Sequence, residues 1–160
     1  MPAGNRDADE RQQGRFKIYS GVETIALPKE PIESSLTALE ALAASGREPA
    51  GAVIPDLATL GRLLQRSNGI LKLGKHRTGK EIAYRAAGQT GARYHLELYV
   101  VGGDLPGLAA GVYHYGPHDD TLSLLRSGDF RAFVTQASGN DSAIAQAPVA
   151  TPKAVLISIG

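Results

Sequence analysis

The sequence predicts an α+β fold, with helices toward the front and a largely antiparallel set of strands behind them. Three observations carry this expectation. Leu57, Leu60, Leu63 and Leu64 recur on one helical face just after Asp56. Later segments starting at Tyr94, Gly111, Thr121 and Ala154 alternate, or run apolar, as strands do. The chain has 160 residues, 42% of them hydrophobic and 21% charged, which suits one domain with a packed core and a solvated surface.

Residues 1–15 are polar, carry charges of both signs and show no periodicity, so they read as a mobile tail. Phe16 to Leu27 mixes aromatic and β-branched residues and reads as extended, stopping at Pro28. Ser34 to Ala44 reads as a helix, since Leu36, Leu39 and Leu42 recur every third residue ahead of Gly46. Residues 46–55 hold two glycines and two prolines and read as a loop. The next helix is the clearest. Asp56 is its N-cap, and Asn68-Gly69 supplies a left-handed stop. Residues 70–80 read as a basic, glycine-punctuated loop.

Tyr94–Val101 reads as a strand with Tyr94, Leu96, Leu98 and Val100 on one face and His95, Glu97 and Tyr99 on the other. Gly102-Gly103 and the LPGL around Pro106 read as a turn. Gly111–Tyr115 and Thr121–Arg126 form a hairpin about GPHDD. Asp129 caps a helix that runs to about Ala137 and breaks at Ser138-Gly139. Ala154–Ile159 is an apolar, β-branched run, the pattern of a strand buried on both faces.

Composition removes several functions. With no Cys, there is no disulfide scaffold, no cysteine-ligated zinc or iron–sulfur site and no thiol nucleophile. The first fifteen residues contain no apolar signal core, and no stretch approaches the ~20 apolar residues of a spanning helix. The expectation is a cytoplasmic protein without membrane or nucleic-acid partners, since a net charge of +1 gives neither surface a pull. The charge is uneven, however. Arg62, Arg66, Lys72, Lys75, Arg77, Lys80 and Arg85 face a single acid, Glu81, over 24 positions. That segment is either an anion site or a solvated basic loop.

Gly74–Lys80, GKHRTGK, fits seven positions of a phosphate-binding P-loop. Glu81 then stands where a Ser or Thr would hold magnesium, and EIAYRAAG lacks the helical periodicity a P-loop opens into. His114, His118, Asp119 and Asp120 gather around one turn without a zinc-site spacing, so no metal is expected there. No G-x-S-x-G elbow supports a serine nucleophile. Arg85–Tyr99, RAAGQTGARYHLELY, is different: two glycines three apart, flanked by Ala, precede a well-formed strand behind an arginine. Small residues there allow backbone amides close to a flat or anionic ligand, and Arg85 can pair with a phosphate or a ring oxygen. A plain tight turn has the same spacing.

This stretch resembles the loop RAAASTGALYxxELY of nitroreductase-like flavoproteins, in particular the SagB-type dehydrogenases that oxidise thiazolines and oxazolines in peptides. GGDLPGLAAGVYHYGPHDD, SGDFRAFV and AVLISI are similar to further stretches of that family, in its order, and PDLATLGRLLQRSNGI is similar to its preceding helix. The resemblance runs from about Phe16 to the end. It implies a nitroreductase-like fold over residues 16–160, matching the N-terminal portion of the family's domain. It also implies an FMN cofactor, two-electron chemistry at flavin N5, and a homodimer or a complementary chain completing the site. By position, Arg85, Gln89, Thr90 and Gly91 would bind the cofactor. Gln89 stands at the family's Ser, Gly88 at an Ala, and Arg93 at a commonly apolar position. The helical half that carries the family's catalytic Lys and Tyr lies beyond what this sequence spans, so no catalytic residue is assigned. Two functions lead: an FMN-dependent oxidoreductase, or part of one, and a non-catalytic module of the same fold for dimerisation or docking of a peptide substrate; a stand-alone anion- or nucleic-acid-binding domain using residues 62–85 is a third, although it lacks aromatic interleaving.

Overall fold

A computed structural model describes residues 16–29, 37–44, 54–79, 81–88, 94–139 and 154–159. The expected tail at 1–15, most of the loop at 46–55, and Gln89, Thr90 and Gly91 lie outside the described residues. The described elements are α+β, as the sequence predicts. Their order is β1 (Thr24–Ala26), α1 (Ala38–Ala44), α2 (Leu57–Asn68), β2 (Ile70–Lys75), β3 (Glu81–Arg85), β4 (Glu97–Gly102), β5 (Gly111–Gly116), β6 (Thr121–Ser127), α3 (Arg131–Ala137) and β7 (Ala154–Ile159).

Five strands form one sheet in the order β1-β6-β5-β4-β7, and β2 and β3 form a separate hairpin. Every described pairing is antiparallel. The apolar run at 154–159 is a strand, and it pairs with β4 at the sheet's edge, Val100 opposite Leu156.

Alternation along the strands separates two faces. Leu98, Val100, Tyr113, Tyr115, Leu122 and Leu124 turn to one side. There they pack with Leu27, Leu60, Leu64, Leu105 and Leu108 into the core. Helix α2 supplies this cover through Leu60 and Leu64, with Leu57 packed beside them, whereas Leu63, expected on the same face, is exposed. Asp56 caps it as expected, its Oδ1 accepting the Thr59 amide at 2.7 Å. The Leu57 amide, another orphan of the first turn, donates to the Pro106 carbonyl at 3.1 Å. Pro106-Gly107 is a tight turn closed by reciprocal amide–carbonyl bonds of 2.9 Å between Leu105 and Leu108. Gly107 has φ +83°, the conformation a type II turn demands at that position.

Several local expectations are corrected. Gly69 is extended (φ −69°), not left-handed. Its glycine is needed for space, because a Cβ would overlap the Gln65 carbonyl. Residues 70–80 are not simply a loop. Ile70–Lys75 is a strand paired with Glu81–Arg85 across a turn at 76–79. Leu71 and Leu73, which alternate with Lys72, are both exposed, so pairing with β3 rather than burial makes this segment a strand. The strand after the P-loop-like stretch also bears out its rejection as a phosphate loop. Of the extended reading for Phe16–Leu27, only Thr24–Ala26 is a strand, preceded by a turn at Ser20-Gly21. The strand expected from Tyr94 begins at Glu97 and runs to Gly102.

The helix expected from Ser34 is described over Ala38–Ala44. Thr37 and Glu40 close a reciprocal capping box at its start, with bonds of 2.8 and 3.3 Å. Its Leu39 and Leu42 are exposed rather than packed in the core. Asp129 binds the Arg131 amide at 3.0 Å, but Phe130 occupies the cap of α3 itself.

Candidate functional site

The second face of the sheet is polar and aromatic. Glu97, Tyr99 and His114 fall on it by alternation, and Tyr99 lies opposite His114 in the register. His114 is 1% exposed, and its Nε2 donates to Glu97 Oε2 at 2.8 Å. The segment 16–19 lies across this face. The Tyr19 and Tyr99 hydroxyls share a hydrogen bond of 3.1 Å, and the Tyr19 ring meets His114 edge-on at 5.1 Å. The Lys17 ammonium stands 5.5 and 5.6 Å from the Tyr19 and Tyr99 ring centroids. Its pKa is raised by hydrogen bonds with Tyr99 first and Tyr19 second.

Arg85 ends β3 and is buried, at 5% exposure. Its backbone amide donates to the Tyr94 hydroxyl at 2.9 Å. Its guanidinium sits between two aromatic rings, 5.0 Å from Phe16 and 5.0 Å from Tyr94. Burial lowers its pKa from the usual value, with Glu97, Tyr94 and Tyr115 acting the other way. An arginine so placed stays charged at neutral pH. Yet Nε and Nη1 are buried without a hydrogen-bond partner. Leaving such donors unmet costs about 1–3 kcal/mol, and more for a charged group.

The other buried side-chain atoms without a partner, among the described residues, are Asn68 Oδ1 and His118 Nδ1. His118 stacks on Phe16 at 5.5 Å, so it flanks the same ring as Arg85. Asn68 closes α2 and donates from Nδ2 to the Leu96 carbonyl at 3.1 Å. The neighbouring Gly69 carbonyl accepts the Ala86 amide at 2.9 Å. Unsatisfied polar groups therefore gather where the ends of α2 and β3, the approach to β4 and the β5–β6 turn meet.

Of the expected site residues, Arg85 stands at this corner. Of the basic segment, Arg66, Lys72, Lys75 and Arg77 are exposed, Arg62 is half-buried, and Arg85 alone among its described cations is buried. The sequence reading missed Phe16, Tyr94, Asn68 and His118 as neighbours. Tyr94 was legible within the RAAGQTGARY stretch, but Phe16 and Asn68 come from remote elements with no motif of their own. His118 and its neighbours serve local ends: Asp120 Oδ1 accepts the Tyr115 hydroxyl, and Asp119 Oδ1 that of Thr121, both at 2.8 Å. Among the described residues, no three His, Asp or Glu converge as metal ligands, and no helix is long and apolar enough to cross a membrane.

No family model and no curated protein matches the chain. Five solved chains do. One is the crystal structure of a provisionally assigned nitroreductase from Anabaena variabilis, with 26% identity and a TM-score of 0.53. The match covers 77% of this chain but 22% of that one. The present fold is thus nitroreductase-like, and the chain spans under a quarter of the neighbour's length.

Proposed function

We propose that the chain is part of an FMN-dependent oxidoreductase, of the SagB-type dehydrogenase kind, with the cofactor held at the Arg85 corner. The carrying observation is Arg85 itself: a buried cation between two aromatic rings, with Nε and Nη1 lacking acceptors. A flavin fits that chemistry, since it offers carbonyl and phosphate oxygens to a guanidinium and a flat ring to aromatic neighbours. Bound FMN supplies two-electron transfer through its N5. The chain's own residues bind and orient. Arg85 provides fixed positive charge, the Tyr94 hydroxyl pins the Arg85 backbone, and Gln89, Thr90 and Gly91 would bind the cofactor beside it. The same reading makes the protein cytoplasmic, working as a homodimer or with a complementary chain on a peptide substrate.

A second reading is a non-catalytic module for dimerisation or peptide docking. Leu39, Leu42, Leu71, Leu73 and Tyr84 favour it, because each is a large apolar side chain left exposed. The purified protein separates the two. Visible flavin absorbance, or a melting temperature that rises with added FMN, supports the first. A colourless protein whose melting temperature is indifferent to excess FMN overturns it.

A further inference from the structure

The segment 16–19 is irregular, yet Phe16, Lys17 and Tyr19 all tie it across the candidate site. Phe16 is seated between the Arg85 guanidinium and the His118 imidazole, at 5.0 and 5.5 Å. Tyr19 is tied to Tyr99 at 3.1 Å and rests on His114. Beyond it the chain turns at Gly21, whose φ of +75° favours glycine and whose surroundings leave a Cβ nothing within 4 Å. The segment thus precedes an uncrowded glycine turn, and β1 then fixes the chain to β6.

We propose that residues 16–19 are a strap that closes over Arg85, with Phe16 holding the place a planar ligand ring takes when the strap lifts. The inference rests on the reading of Arg85 as a cofactor ligand. The Phe16 ring gives the guanidinium a cation–π contact but no acceptor, so it covers the charge without satisfying Nε or Nη1. A ligand with acceptor atoms gives the same cation both. The strap lowers apparent affinity by the fraction of molecules in which it is closed, and regulation follows from whatever shifts that fraction.

Two measurements on the full chain decide the matter. The first needs no ligand: phenylglyoxal labelling of Arg85, read by peptide mass spectrometry. Phe16→Ala should label about three-fold faster or more, since an exposed cation–π contact is worth about that factor. Tyr19→Phe, which keeps the ring and removes one strap hydrogen bond, should label faster by a smaller factor. Unchanged labelling in both folded variants overturns the strap.

The second is FMN titration by fluorescence quenching. Phe16→Ala should bind about three-fold tighter. Weaker binding would make Phe16 a wall of the site rather than its cover, and would overturn the proposal. Faster labelling with no FMN binding by any variant would leave the strap standing and remove the flavin reading instead. Should Phe16→Ala not fold, the Tyr19→Phe labelling rate and FMN affinity decide alone.

Discussion

His114 Nε2 and Glu97 Oε2 lie 2.8 Å apart across adjacent strands, with the imidazole almost wholly buried. The pair joins β4 to β5 on the face opposite the core and sets the surface on which Tyr19 rests. Glu97→Ala should lower stability by about 1–3 kcal/mol, because a buried ring nitrogen loses its partner. Glu97→Gln retains an acceptor and should lose less. Urea unfolding of the three proteins checks this. Equal losses would mean that packing, not the hydrogen bond, sets the cost.

Arg85 should show opposite effects on stability and on binding. Arg85→Met removes two unmet donors while keeping the bulk between Phe16 and Tyr94. Its melting temperature should equal or exceed that of the parent, since buried donors left without acceptors are costly. Its FMN affinity should fall about tenfold or more, as expected when a charge-assisted hydrogen bond is lost. Lys72→Ala, on the exposed face of β2, should change neither. Calorimetry and flavin titration on these proteins test the contrast, and a binding loss shared equally by Lys72→Ala would contradict it.

Stability should decline at alkaline pH through buried phenols. Burial is the first cause raising Tyr115, Tyr113 and Tyr99, and Tyr115 is raised further by donating to Asp120. A group with a raised folded pKa stabilises fully below its unfolded value, here 10.0, and loses that contribution as pH rises through the folded value. Melting temperature should therefore drop steeply above about pH 10. The drop should be shallower in Tyr115→Phe. Identical slopes would mean that Tyr115 does not titrate with unfolding.

Gly107→Ala should cost about 1–3 kcal/mol, the range for a non-glycine residue held in a sparsely populated conformation. The site combines φ +83° with a Cβ position only 3.2 Å from Leu57 Cβ. Thermal unfolding measures the loss. A cost near zero would show that the turn relaxes freely away from α2.

What the sequence disclosed follows from the range of the forces involved. The Asp56 cap, the leucine stripe of α2, the LPGL turn and the GPHDD hairpin are local, so their residue types declare them. Arg85 was legible because it heads a compact stretch of small residues. The β2–β3 hairpin was not, because Leu71 and Leu73 stay exposed and its strands owe their pairing to each other. Leu39 and Leu42 show the converse error: helical periodicity foretold the helix but not what it packs against. Phe16 meets both Arg85 and His118 only because segments far apart in sequence fold together, and no short pattern encodes such a meeting.

The bond from the Leu57 amide to the Pro106 carbonyl couples two distant parts of the chain. Asp56 can satisfy one donor of α2 as soon as that helix forms. The Leu57 donor must wait for the LPGL turn, which also brings Leu105 and Leu108 into the core. A chain emerging in order from its N-terminus therefore carries a nascent, half-capped α2 until the turn has been made. The cap of α2 and part of the core packing thus depend on one closure between segments far apart in sequence, the kind of contact that forms more slowly than a helix grows.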